Sequence, residues 1–90
     1  MIGRQIFYEG RVQGVGFRYT VRSVARGFEV RGWVKNLADG RVELQVCGES
    51  DEVREFLKAI RDSELNACIK SEQTLEIPPM LDVKSFQIRF

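Results

Sequence analysis

The sequence of 90 residues contains no histidine. Without an imidazole, a histidine general base, a histidine-bearing metal site and a Ser-His-Asp triad are all excluded. Any catalysis must therefore depend on other side chains or on the backbone.

Cysteine is scarce, and long apolar runs are missing. Cys47 and Cys68 are the only thiols, they form no CxxC motif, and their number alone leaves one disulfide open. We favour reduced thiols and hence a cytoplasmic protein. The N-terminal segment has no apolar run typical of a signal peptide, and no segment approaches the length of a membrane span.

The charges nearly cancel, with 14 Lys and Arg against 13 Asp and Glu, a net charge of +1. This balance argues against a surface that wraps a polynucleotide, although it leaves room for a local basic pocket. Hydrophobic residues make up 43% of the chain, which is enough for a folded core. The length predicts one domain, residues 1–90.

The first third of the chain predicts a strand, a turn and a helix. Apolar residues alternate from Arg4 to Val12, as in a half-buried strand, and the two glycines of Gln13–Gly16 indicate a turn. From Phe17 the apolar residues recur at steps of three and four, which is typical of an amphipathic helix. We expect Gly27 to end this helix in a left-handed conformation.

The rest of the chain predicts a hairpin, a second helix and further strands. Strands at Val30–Asn36 and Arg41–Cys47 are joined by a short loop that ends in Asp-Gly. Ser50 is the expected cap of the second helix, with two acidic residues after it that suit the helix dipole. Strands follow at about Ile69–Ile77 and at Val83–Phe90.

These elements predict an α+β fold of the ferredoxin-like split βαβ type, in the order β-α-β-β-α-β. Each helix has a single apolar stripe, so we expect one antiparallel or mixed sheet with both helices on one face. The fold alone leaves the function open, because this architecture supports many unrelated activities.

The segment Gly10–Arg18 is the first candidate for chemistry. It combines a strand end, a glycine-bearing loop and a helix start, where unpaired backbone N–H groups and the helix dipole favour an anion. Arg18 lies in the first helical turn and has the fork geometry that binds an oxyanion. The alternative is an ordinary turn followed by a solvated arginine. The segment lacks the Gly-Lys-Ser/Thr of a P-loop and the third glycine of a dinucleotide fingerprint.

Asn36 is the second candidate. In a split βαβ sheet, the start of the first helix and the connection after the second strand can face the same region. The amide of Asn36 both donates and accepts hydrogen bonds, which suits it to orient a water molecule. The alternative is a structural residue that shapes the hairpin loop.

Two segments of the chain resemble the two signatures of the acylphosphatase family: Gly10-x-Val12-Gln13-Gly14-Val15-x-Phe17-Arg18 and Gly32-Trp33-Val34-x-Asn36-x-x-Asp39-Gly40-x-Val42. The resemblance implies hydrolysis of a carboxyl–phosphate anhydride to a carboxylate and inorganic phosphate. It implies that Arg18 binds the phosphate and that Asn36 holds the attacking water. The backbone amides that it assigns to phosphate binding are those of Gln13, Gly14, Val15, Gly16 and Phe17.

This chemistry agrees with the missing histidine. A carboxylic acid has a pKa of about 4, so the carboxylate leaves without a proton and no general acid is needed. Phosphoryl transfer through a loose transition state depends mainly on positioning and charge stabilisation. We therefore expect no metal ion and no cofactor. The expected partner is a small-molecule acyl phosphate, with no nucleic acid and no membrane, and the expected state is a monomer.

Two other hypotheses remain open on the sequence. The first is a non-catalytic module on the same fold that binds anions or nucleic acid, since Arg26–Trp33 faintly resembles an RNA-recognition segment. The second is an acylphosphatase-like domain within a larger enzyme that processes carbamoyl phosphate. The end of the chain at Phe90, directly after the last strand, favours a stand-alone protein.

Overall fold

The computed structural model describes the whole chain, Met1–Phe90. It contains two α-helices, α1 (Phe17–Ala25) and α2 (Ser50–Asp62), and a short 3₁₀ helix at Glu64–Ala67. The five strands are β1 (Ile2–Gly10), β2 (Val30–Asn36), β3 (Val42–Gly48), β4 (Ile69–Ile77) and β5 (Phe86–Arg89). Neither helix is long and apolar enough to cross a lipid bilayer.

The five strands form one mixed sheet in the order β4-β1-β3-β2-β5. All pairs are antiparallel except β2 and β5, which run parallel. The α-helices and the first four strands follow the predicted order β-α-β-β-α-β, and the strand predicted at Val83–Phe90 is β5, which lies at the edge of the sheet beside β2. The ferredoxin-like fold is therefore confirmed.

The core lies between the sheet and the two helices. Ile6, Leu44 and Val34 occupy one row across β1, β3 and β2, and all three are buried. Both helices contribute to this same buried cluster, which is how one sheet face covers their apolar stripes. The buried helical residues are Phe17, Val21, Ala25, Val53, Phe56, Leu57 and Ile60.

Two predictions about helix ends are wrong. Gly27 follows α1 but does not have a positive φ. Arg26 keeps right-handed angles there, and Gly27 N–H donates to the Val24 carbonyl at 3.0 Å, so no left-handed residue is needed. Ser50 is the first residue of α2 and does not cap it. Glu49 is the N-cap, because its carbonyl accepts the first helical hydrogen bond from Val53 N–H at 3.0 Å.

The bounds of three strands differ from the prediction. β1 begins at Ile2 instead of Arg4, and β3 spans Val42–Gly48 instead of Arg41–Cys47. β1 ends at Gly10 instead of Val12, because the register shifts between Glu9 and Gly10 and the following residues leave the ladder. β5 covers only Phe86–Arg89, since its pairing with β2 extends no further.

The antiparallel pairing with β3 determines where the site forms. Because β1 and β2 both run antiparallel to β3, they are parallel to each other and end at the same edge of the sheet. Val42 is opposite Tyr8 on one side and opposite Asn36 on the other. The loop that leads from β1 to α1 therefore emerges close to the end of β2.

Candidate active site

The loop between β1 and α1 is shaped by two left-handed glycines. Gly14 has φ 76° and Gly16 has φ 77°, whereas Gln13 and Val15 have negative φ values. A Cβ atom added at either glycine would meet nothing within 4 Å, so the backbone angle and not lack of space requires glycine. Alternation of the sign of φ along a loop can turn successive N–H groups toward one side, as in anion-binding nests.

The backbone N–H groups of this loop make no hydrogen bonds within the protein. No backbone N–H group from Gln13 to Phe17 donates a hydrogen bond to another protein group. The start of α1 has no side-chain cap and no acidic residue in its first turn. The loop therefore offers a row of unpaired donors at the positive end of a helix dipole, which is a ready site for an anion.

Arg18 projects from the first turn of α1 and is held by the end of β5. One of its terminal nitrogens, Nη1, donates to the Arg89 carbonyl at 3.1 Å, and its Cζ atom lies 4.7 Å from the centre of the Phe90 ring. Arg18 is half-buried as a residue, and its guanidinium pairs with no carboxylate. Since a guanidinium carries several N–H groups in a fixed fork, the remaining donors stay available for a ligand.

Asn36 is the last residue of β2, and its side-chain amide makes no hydrogen bond within the protein. Its Oδ1 atom is buried and accepts no hydrogen bond from another protein group. A buried acceptor without a partner costs about 1–3 kcal/mol, so this amide gains from any donor brought to it. Rotation by about 180° about χ2 exchanges its donor and acceptor, and either one then faces a ligand.

A cavity of about 200 Å³ joins these groups. It is lined by Val12, Gly14, Gly16, Phe17, Arg18, Tyr19 and Asn36. The structure thus brings the predicted Arg18 and Asn36 together at the glycine loop. Gln13 and Val15 do not line this cavity: the Gln13 side chain points to the hairpin between β2 and β3, and Val15 is exposed.

The hairpin that carries Asn36 is closed by several polar contacts. Leu37 N–H donates to the Arg41 carbonyl at 2.8 Å across its neck. At its tip, the backbone and side chain of Arg41 donate to Asp39 at 3.0 and 2.8 Å. These hydrogen bonds from Arg41 lower the pKa of Asp39. Asn36 therefore directly precedes a turn that is stabilised by three hydrogen bonds.

Sequence reasoning missed two contributions to this site. The Arg89 carbonyl and the Phe90 ring support Arg18 from the far end of the chain, and the Gln13 side chain bonds the hairpin neck. Neither contact has a local signal, because its partners are distant in the sequence. Only the pairing of β5 with β2 brings the last residues to α1.

A groove of about 420 Å³ lies where β1 and β2 begin, at the end of the sheet opposite the glycine-lined cavity. It is larger than that cavity of about 200 Å³, but its lining residues carry different charges. Three carboxylates line it, from Glu29, Glu49 and Glu52, against the single guanidinium of Arg31. These negative charges would repel a phosphoryl group, so the glycine-lined cavity is the better candidate.

The fold and the cavity define a small α+β protein in which a loop of unpaired backbone N–H groups lines a cavity where β1 and β2 end. The family model for acylphosphatase matches residues 4–88. An acylphosphatase from Bacillus pumilus (strain SAFR-032) is 39% identical over 89 residues, which is 99% of each chain. The crystal structure of acylphosphatase from Bacillus subtilis superposes with a TM-score of 0.89 at 33% identity, over 100% of both chains. The structure of an acylphosphatase from Coxiella burnetii gives 0.83 at 34% identity, over 98% of this chain and 92% of that one.

The chain belongs to the acylphosphatase family. Its activity is that of an acylphosphatase, a hydrolase of acid anhydrides that acts on small-molecule acyl phosphates. The prediction of an enzyme of this type is confirmed, and the alternative of a non-catalytic binding module finds no support.

Proposed function

We propose that the carboxyl–phosphate anhydride is hydrolysed in the cavity between the glycine loop and the end of β2. The backbone amides of Gln13–Phe17 and the guanidinium of Arg18 bind the phosphoryl group, and Asn36 holds the attacking water. One observation carries this proposal: Arg18, Asn36 and the loop glycines line a single cavity, and their hydrogen-bonding groups are largely unused by the protein.

Phosphoryl binding follows from the charges of the loop. The free N–H groups supply partial positive charge, and Arg18 adds a full charge with a fork that matches two phosphoryl oxygens. These donors are fixed before the substrate arrives, because the loop geometry and the contacts of Arg18 with β5 exist in the free protein. Donors arranged in advance stabilise the charge on the transferring group without reorganisation.

Water attack requires a nucleophile on the side of phosphorus opposite the leaving carboxylate. Asn36 lines the same cavity as the loop glycines and has an unpaired side-chain amide that can orient this water. In the reaction, a bond forms between the water oxygen and phosphorus while the bond from phosphorus to the acyl oxygen breaks. The electron pair leaves with the carboxylate, and the proton of the water passes to a phosphoryl oxygen.

The proposal needs neither a metal ion nor a cofactor. The leaving carboxylate is stable as an anion, since carboxylic acids have a pKa of about 4. The amides and Arg18 supply the positive charge that phosphoryl transfer requires.

The substitution Asn36→Ala tests the assignment of the water site. We expect kcat for benzoyl phosphate to fall by about 10²-fold while KM changes little, because Asn36 contacts water and not the bound phosphoryl group. Steady-state kinetics measure both constants. The matched control is Asn66→Ala, because Asn66 is an exposed asparagine in the 3₁₀ helix. An effect confined to KM would show that Asn36 binds the substrate instead.

The proposal also covers the organisation of the protein. We propose a single domain of residues 1–90 that acts as a cytoplasmic monomer, with no nucleic-acid or membrane partner. One continuous hydrophobic cluster supports the single domain, and two free thiols support a reducing compartment. Sedimentation equilibrium should give a mass near 10.4 kDa. A dimer mass would reject the monomer, and RNA binding that weakens with salt would reject the absence of a nucleic-acid partner.

A further inference from the structure

The side chain of Gln13 joins the two halves of the site. Its Nε2 group donates to the Leu37 carbonyl at 2.7 Å and to the Arg41 carbonyl at 2.9 Å. These two residues form the neck of the hairpin between β2 and β3, and Asn36 directly precedes Leu37. The backbone of Gln13 begins the glycine loop. A single side chain therefore connects the loop to the strand end that carries Asn36.

The two hydrogen bonds of the Gln13 side chain are the only polar contacts between the glycine loop and the hairpin. No other hydrogen bond and no ion pair joins residues 12–16 to residues 36–41. Both N–H groups of the Gln13 amide are used, one for each side of the hairpin neck, so the amide is fixed in rotation as well as in position. Gln13 is also half-buried, which limits competition from solvent.

We propose that the Gln13 side chain is a positioning residue that sets the distance between the phosphoryl-binding loop and the water held by Asn36. The inference rests on the function proposed above. It adds that Gln13 acts on the reaction through its side chain as well as through its backbone amide. In-line attack demands accurate placement, and a displacement of about 1 Å can lower a rate by about 10²-fold.

The expected effect is selective. In Gln13→Ala the loop glycines and Arg18 remain, so phosphate binding persists, whereas the hairpin neck loses its attachment to the loop. We expect kcat to fall by about tenfold or more, with KM and the inhibition constant for inorganic phosphate changed by less than about threefold.

A double-mutant cycle with Gln13→Ala and Asn36→Ala is the test. If Gln13 acts through Asn36, then Gln13→Ala lowers kcat strongly in the wild type but by less than about twofold in the Asn36→Ala background. Equal effects in both backgrounds would overturn the inference, as would an increase in KM with unchanged kcat. If Asn36→Ala itself retained full kcat, the proposed function would fail instead, so the two failures are distinguishable.

Gln13→Glu keeps the inference testable if Gln13→Ala folds poorly. At neutral pH its carboxylate cannot donate to the two carbonyl oxygens, so kcat should fall as in Gln13→Ala. A wild-type kcat in Gln13→Glu at pH 7 would overturn the inference.

Gln73→Ala is the matched control for these variants. Gln73 is an exposed glutamine in β4, opposite Phe7 of β1, and it makes no side-chain hydrogen bond. We expect its kcat and KM to equal those of the wild type within about twofold. Thermal unfolding of every variant verifies that the kinetics are measured on folded protein.

Discussion

Replacing Arg18 by alanine is the most direct test of the active site. Arg18 is a half-buried residue in the first turn of α1, and the structure gives its guanidinium one hydrogen bond, to the Arg89 carbonyl, and one aromatic contact, with Phe90. Its other N–H groups remain for two phosphoryl oxygens. The substitution removes these donors and one positive charge from a cavity of about 200 Å³.

The size of the effect follows from what is lost. Removal of one prearranged donor to a transition-state oxyanion costs about 2.7–4 kcal/mol, and the charge of Arg18 adds to the loss. We therefore expect kcat/KM for benzoyl phosphate to fall by about 10³-fold or more, equivalent to about 4 kcal/mol. Arg18→Lys keeps the charge without the fork, so it should recover only part of this loss.

The assay is release of inorganic phosphate from benzoyl phosphate, together with competitive inhibition by phosphate. Arg22→Ala is the matched control, because Arg22 is a half-buried arginine one turn further along α1 without a carboxylate partner. Its backbone lies about 6 Å further along the helix axis, and its side chain does not line the cavity, so its loss should change kcat/KM by about fivefold at most. An Arg18→Ala enzyme within about tenfold of the wild type would refute the assignment.

Three further predictions concern stability, pH and metal dependence. The Tyr8 hydroxyl is buried without a hydrogen-bond partner, and burial raises its pKa. Tyr8→Phe should therefore leave the free energy of unfolding unchanged or increase it by about 1 kcal/mol. A lower free energy of unfolding in urea denaturation would contradict this. The pKa of Asp39 is lowered by the hydrogen bonds from Arg41, so its contribution to stability is present above about pH 4 and is lost as the pH falls through its lower folded value. In Asp39→Asn the free energy of unfolding should fall less steeply below about pH 4, and equal slopes would contradict the linkage. Prolonged dialysis against a chelator should leave kcat intact, whereas a loss restored by divalent metal would reveal a metal requirement.

Local patterns predicted most of the secondary structure. The bounds of β2 and β4 agree with the prediction, and β4 ends directly before Pro78 and Pro79, which do not continue a strand. The helix ends were predicted less well. Ser50 has the chemistry of a cap, but the first helical hydrogen bond goes to the carbonyl of Glu49, and only the backbone path decides this.

The order of the strands was beyond local patterns. The pairing of β5 with β2 places the last strand of the chain beside a strand from its first half. Hydrophobic alternation shows that Phe86–Arg89 is a strand but not which edge of the sheet it joins. This pairing has a functional consequence, since it carries Phe90 to Arg18.

Some features of the site follow from one short segment of the sequence, whereas others depend on contacts between segments that are far apart in the sequence. The free amides and the position of Arg18 follow from the segment Gly10–Arg18 itself, because left-handed glycines before a helix start leave donors unpaired whatever the rest of the chain does. The placement of Asn36 in the same cavity as those donors is different. It depends on β1 and β2 both pairing with β3, on the closed hairpin neck and on the two hydrogen bonds of Gln13. A substitution within the loop should therefore alter phosphate binding directly, whereas a substitution that loosens the hairpin should lower kcat while phosphate still binds.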